Sequence, residues 1–262
     1  MKAVIASAAL ATSLLSGAAF AADKPTIVLV HGAFEDASVW THTQTQLKSD
    51  GYKVVTVNLP GHPSNPLAPD KASLDVYRDA VLTVIDAEKA PVVLVGHSFG
   101  GITISAVGEA RPEKIKSLVY LAAYLPTEGQ SLLSLANTDR DSKLGPFVQI
   151  QKEKGIASIA YTARADLFAN DGPPELRKAI PDLLLDENLA PLATPVHVTP
   201  ERFGKVDKVY IKTAKDVVVS PYLQTEMIKA TPVRLTLSVD TGHTPFLTAP
   251  KELAKAIEAS AK

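Results

Sequence analysis

Pro91-Val-Val-Leu-Val95 followed by Gly96-His97-Ser98-Phe99-Gly100 reads as an apolar strand running into a glycine-flanked serine, and residues Phe99 to Ala110 continue with helical texture. That is where a nucleophilic serine sits. A serine hydroxyl at its ordinary pKa is a poor nucleophile, so catalysis requires a sharp turn that presents it beside a base and beside backbone N–H groups. Glycines two before and two after Ser98 serve that need. Strand and helix crowd together at such a turn, and a side chain at either glycine would collide.

Outward from this turn, short runs rich in Val, Ile and Leu alternate with longer segments of helical period. The short runs are apolar throughout, as expected of strands buried on both faces of a parallel sheet. They are Thr26 to Val30, Lys53 to Val57, Pro91 to Val95, Lys116 to Leu121, Asp207 to Lys212 and Val233 to Ser238. Helices are expected at Val39 to Ser49, Ser73 to Glu88, Phe99 to Ala110, Tyr222 to Lys229 and Pro250 to Ala261. In the second of these Ser73 is the N-cap, and Leu74, Tyr77, Val81, Val84 and Ile85 share one face. The alternation predicts an α/β fold with a mostly parallel, doubly wound sheet.

One stretch departs from this pattern. From about Ala122 to Phe203 the chain carries eight prolines, at positions 126, 146, 173, 174, 181, 191, 195 and 200, with helix-like pieces and no comparable strand run. It reads as a mainly helical cap, inserted before the strand that leads to Asp216. A cap there would cover the carboxyl ends of the strands, where open α/β sheets place ligands.

The N-terminus has its own texture. Met1-Lys2 precede an apolar, small-residue run that ends in Ala19-Phe20-Ala21, the spacing of a signal-peptidase site, so residues 1–21 read as a cleaved secretory signal. The run is too short and too rich in alanine and serine for a membrane span of about 20 strongly apolar residues. Residues 22–262 are then one exported α/β domain with its insertion, periplasmic or secreted from a bacterium. A balance of 27 basic against 28 acidic residues gives no field for nucleic acid or an anionic membrane. Zero cysteines exclude disulfide and thiol chemistry. The expected state is a monomer or homodimer.

A serine nucleophile needs an imidazole to take its proton, and six histidines are available: His31, His42, His62, His97, His197 and His243. His243 follows the last strand in Asp240-Thr-Gly-His243-Thr-Pro, on the sheet edge that carries Ser98, and is the expected base. His97 adjoins the serine but points the other way, under the elbow. His31 and His62 read as structural hydrogen-bonders or pocket lining, His42 as helix surface and His197 as a cap residue. The imidazole needs a carboxylate on its far nitrogen, and Asp216 supplies it in the chain order Ser98, Asp216, His243. Asp207 and Asp240 are the competing carboxylates. Two N–H donors should face the developing oxyanion: Phe99 at the helix start and Ala33 in His31-Gly32-Ala33-Phe34, with Phe34 as second choice. Neither metal-ligand spacing nor a nucleotide loop occurs, so no cofactor and no metal are expected.

Three pieces carry a resemblance to a family: Val30-His-Gly-Ala33 with Trp40; Leu94-Val-Gly-His-Ser-Phe-Gly-Gly101; and Thr199-Pro-Glu-Arg-Phe-Gly204 leading to Val209-Tyr-Ile211 and Asp216. Over most of residues 26–258 the chain resembles the α/β-hydrolases, in their small capped branch of plant methylesterases, hydroxynitrile lyases and bacterial carboxylesterases, pyrethroid hydrolases included. The resemblance implies a Ser98, His243, Asp216 triad, an oxyanion hole at Ala33 and Phe99, no cofactor, and small to medium apolar carboxylic esters as substrates. Phe34, Trp40, Leu125, Phe147, Phe168 and Phe246 are candidate pocket residues. Thr244 stands where the lyases carry lysine, and Phe34-Glu35-Asp36 replaces the plant Cys-His-Gly. Lactonase, amidase, perhydrolase or hydroxynitrile lyase chemistry would use the same residues, and a binding protein with little turnover would keep the fold alone.

Overall fold

Each of the six apolar runs forms a strand of one sheet in a computed structural model, which describes residues 24–262. The export signal expected at residues 1–21 lies outside the described residues. The chain runs β1 (Ile27–Val30), α1 (Thr41–Ser49), β2 (Val54–Val57), α2 (Leu74–Asp86), β3 (Val92–His97), α3 (Gly100–Ala110) and β4 (Ile115–Leu121). An insertion follows, with α4 (Leu132–Ala136), β5 (Val148–Gln151), β6 (Ile156–Ile159), α5 (Arg164–Phe168), α6 (Pro174–Leu183), β7 (Glu187–Asn188) and α7 (Leu189–Ala193). Then β8 (Lys208–Thr213), α8 (Pro221–Ala230), β9 (Leu235–Val239), α9 (Pro245–Thr248) and α10 (Pro250–Ser260) complete it.

The main sheet has the order β2-β1-β3-β4-β8-β9, and every neighbouring pair is parallel. This is the α/β-hydrolase arrangement. Alternation along the strands builds a core on each face: Val28, Val30, Leu94, Tyr120 and Tyr210 face α2, α3 and α8, while Ile27, Leu29, Val93, Val95 and Val119 face α1 and α10. Each such side chain, removed from water, contributes about 1.5 to 3 kcal/mol before entropy is counted. The sequence dictates α2 in the same way. Ser73 accepts the N–H of Val76 as N-cap, Leu74, Tyr77, Val81 and Ile85 are buried, and Val84 is half-buried.

Two details depart from expectation. The strand expected to stop at Val95 runs on to His97, so Ser98 leaves the sheet directly. The insertion, besides four short helices, holds a three-stranded antiparallel sheet of order β5-β6-β7. Its strands are only four, four and two residues long, and β5 is half-exposed to exposed throughout, so none makes the apolar run by which buried strands are recognised. Among the described residues no helix is long and apolar enough to cross a membrane.

Candidate active site

Crowded backbone shapes the turn after β3. Ser98 holds φ at +51°, in the left-handed region that costs a residue with a Cβ, and its N–H donates to the Leu121 carbonyl at 3.2 Å. Its own carbonyl accepts the N–H groups of Gly101 and Tyr124. A Cβ at Gly96 would lie 2.6 Å from the carbonyl oxygen of Gly100, and one at Gly100 would lie 2.8 Å from that of His31. The glycines are thus sterically required. Phe34 and Ala122 also hold positive φ, at +65° and +45°, so the three strained non-glycine residues among the described residues lie in the loops after β1, β3 and β4.

Ser98, His243 and Asp216 meet in the order read from the sequence. His243 Nε2 lies 3.0 Å from Ser98 Oγ, and His243 Nδ1 lies 2.8 Å from Asp216 Oδ2. All three are buried. The Asp216 carboxylate is held by four contacts, since it also accepts the Thr213 hydroxyl and the N–H groups of Val218 and Val219. The competing carboxylates are occupied elsewhere: Asp207 pairs with Arg234 and Asp240 with Lys215 at the surface.

Two backbone donors stand free beside the serine. The N–H groups of Ala33 and Phe99 have no hydrogen-bond partner among the described residues, whereas Phe34 donates its N–H to Glu187 at 3.2 Å. This separates the first choice from the second. The remaining histidines take structural places. Burial and the neighbouring His62 lower His31 to about 4, so it is neutral; its Nδ1 donates to Gly32 O, and its Nε2 accepts the Leu59 N–H. His42 is exposed, and His197 bonds Glu128 at the surface.

A cavity of about 290 Å³ opens over Ser98, lined near it by Ala33, Phe34, Tyr124 and Phe168, and roofed by Leu133 and Ala136 of α4. Of the six candidate pocket residues, Phe34 and Phe168 line this cavity and four do not. Trp40 and Phe246 are fully buried on the far face of the sheet, with ring centroids 5.1 Å apart. Leu125 packs in the other core, its N–H on the Met227 sulfur. Phe147 is 40% exposed and lines a separate groove with Lys143 and Arg177. Aromatic identity marks burial without saying which face is buried.

The residues that sequence reading missed are two buried glutamates. Glu35 accepts the Gly32 N–H and faces His97 Nδ1 at 3.0 Å. Glu187, from β7, accepts the Tyr77 hydroxyl at 2.8 Å and faces His62 Nε2 at 3.1 Å, besides holding Phe34. Glu35 carried one sequence signal, its place in a stretch that departs from the plant pattern. Glu187 carried none, because Phe34, His62 and Tyr77, which it joins, lie more than 100 residues away. No cluster of three or more His, Asp or Glu among the described residues could hold a metal.

Comparison with known proteins places this geometry. Residues 27–256 match the model of the alpha/beta hydrolase family. A chloroplastic protein of Arabidopsis thaliana designated methylesterase 13 is 30% identical over 240 residues, covering 87% of this chain and 54% of that protein. The chain thus spans little more than half the length of that relative. Methyl jasmonate esterase 1 of Vitis vinifera is 30% identical over 248 residues, covering 86% of this chain and 92% of the grape protein. Among solved structures, a pyrethroid hydrolase from Sphingobium faniae superposes with a TM-score of 0.80 at 24% identity, covering 90% of this chain and 97% of that one. That last likeness bears on the fold.

Proposed function

Because the chain belongs to the alpha/beta hydrolase family, we propose that it is a serine hydrolase of small to medium apolar carboxylic esters. The observation that carries this reading is the pair of contacts, 3.0 Å and 2.8 Å, that join Ser98 to His243 and His243 to Asp216 beneath a mostly apolar cavity. Names of the relatives support it, since methyl ester cleavage appears in one and pyrethroid cleavage in another.

The chemistry follows from where each group stands. His243 Nε2 takes the Ser98 proton as Oγ attacks the ester carbonyl, and Asp216 holds the ring in the tautomer that leaves Nε2 free. Negative charge then grows on the carbonyl oxygen. Free N–H groups at Ala33 and Phe99 meet it, and each such donor is worth about 2.7 to 4 kcal/mol in a well-studied protease. His243 returns the proton to the leaving alcohol, and a water, activated by the same ring, releases the acid.

Export is part of the proposal. It rests on the leader pattern of residues 1–21, and a periplasmic or extracellular fraction containing a chain that starts at Ala22 would support it. The catalytic reading is tested by Ser98→Ala beside the wild type, with short p-nitrophenyl esters and a serine-reactive fluorophosphonate. Loss of both turnover and labelling in a folded variant is expected. Unchanged turnover in that variant would overturn the reading, and a wild type that neither turns over nor labels would make the chain a binding protein.

A further inference from the structure

We propose that Glu35 and His97 form a buried ion pair that positions the three loops of the active site, tying the oxyanion loop to the elbow and the elbow to the catalytic base. The proposal rests on the hydrolase reading of Ser98 and His243. It concerns two residues that touch no substrate.

The two nitrogens of His97 have different partners of one kind. Nδ1 lies 3.0 Å from the Glu35 carboxylate and Nε2 lies 2.9 Å from the backbone carbonyl oxygen of His243. A carbonyl oxygen only accepts, and so does an ionised carboxylate. The ring therefore makes both bonds only when it carries both protons, which makes it a cation. Glu35 supplies the opposing charge. Both side chains are buried, and an uncompensated charge there would cost several kcal/mol.

The pair acts through what it holds. Glu35 Oε2 also accepts the Gly32 N–H, one residue before the Ala33 donor. His97 immediately precedes Ser98, and its Nε2 fixes the backbone of His243 itself. One charged couple thus links donor, nucleophile and base. Walls of Phe246 and Trp40, with ring centroids 4.8 and 6.4 Å from His97, keep the ring from turning away.

Its charge balance also suits the reaction. The His243 ring centroid is only 4.6 Å from that of His97, so a lone His97 cation would oppose the imidazolium that His243 becomes during turnover. Glu35 cancels that cost, while Asp216 stabilises the imidazolium directly. Burial pushes the Glu35 carboxyl up, but the charge and hydrogen bond of His97, with His243 and His31 behind them, hold it below the usual carboxylate range.

Glu35→Gln tests the pair, because it conserves volume and leaves an acceptor for Gly32 while removing the charge. In the variant kcat should fall by about 10- to 100-fold with KM nearly unchanged, as expected when reacting groups are misplaced by a fraction of an ångström to an ångström. Glu35→Asp should recover part of that loss. Adding His97→Gln to Glu35→Gln should cost little more, since the pair acts as a unit. Nitrogen-15 spectra of the wild type at neutral pH should show both ring nitrogens of His97 protonated, a measurement that needs no variant to fold. A singly protonated His97 would overturn the proposal, as would an unchanged kcat in folded Glu35→Gln. Neither result touches Ser98 labelling, so failure of the pair and failure of the hydrolase reading are told apart.

Discussion

Glu187 accepts the backbone N–H of Phe34 at 3.2 Å, a contact between the cap insertion and the oxyanion loop that spans 153 residues of sequence. The carboxylate also receives the Tyr77 hydroxyl and the Asn188 N–H, and it faces His62. Glu187→Ala would strand all of these buried groups, and breaking such a network costs about 3 to 5 kcal/mol. Guanidinium denaturation should report that loss. Ester turnover should fall as well, because the released Phe34 no longer fixes the turn that presents Ala33. A variant with wild-type stability would contradict the network.

The contact of Glu187 with His62 makes stability depend on alkali. Burial disfavours a charge on His62, but the hydrogen bond and charge of Glu187 outweigh it and hold the ring above its ordinary value. A group whose folded pKa is raised stabilises fully below its unfolded value, near 6.5, and that contribution fades as pH climbs through the folded value. Denaturant midpoints should therefore decline as pH rises above 6.5. His62→Gln should lower stability at pH 6 and flatten the decline. An equally steep decline in the variant would assign it to other groups.

How far the sequence alone reaches is visible in particular residues. Ser98, Asp216 and His243 were legible because each sits at a fixed place relative to a strand, and strands announce themselves by local apolar runs such as Ile27-Val-Leu-Val30. Trp40 and Phe246 were misplaced for the converse reason. Their aromatic character signals burial, whereas the choice between cavity and far core depends on which face of the sheet their helices cover. Glu35 and Glu187 were hidden more deeply, since a buried carboxylate is explained only by partners that folding brings from elsewhere. The cap sheet escaped because ten strand residues in three short pieces, two of those residues exposed, leave almost no periodicity to read.

Asp216→Asn separates orientation from bulk. Asparagine keeps an oxygen for the N–H groups of Val218 and Val219, so the turn after β8 should survive. What it cannot do is accept both His243 Nδ1 and the Thr213 hydroxyl through the remaining position, where an amide nitrogen now donates. The imidazole is then driven to the wrong tautomer. By analogy with the corresponding change in a serine protease, kcat should fall about 10⁴-fold while the thermal midpoint moves little. A loss below about tenfold would place the functional carboxylate elsewhere.

Tyr124 should set what kind of ester the cavity prefers. Its backbone N–H is bound to the Ser98 carbonyl, so the residue is fixed beside the elbow, and it lines the cavity while only 3% exposed. Its hydroxyl has no hydrogen-bond partner among the described residues. Burial, then the charges of Asp139 and Asp216, push its proton loss far above the ordinary tyrosine range, so the group stays a donor at any working pH. A substrate with an ether or keto oxygen in reach would satisfy that donor, and one with a methylene in its place would leave it unpaired. A neutral hydrogen bond is worth about 0.5 to 1.5 kcal/mol net, which is roughly 2- to 13-fold in kcat/KM. The measurement is the ratio of kcat/KM for two esters that differ only by that oxygen-for-methylene exchange, taken in the wild type and in Tyr124→Phe. The ratio should favour the oxygen-bearing ester in the wild type and fall towards one in the variant. If it is the same in both proteins across several positions of the oxygen, Tyr124 serves packing, and selectivity lies with the cap residues Leu133 and Ala136.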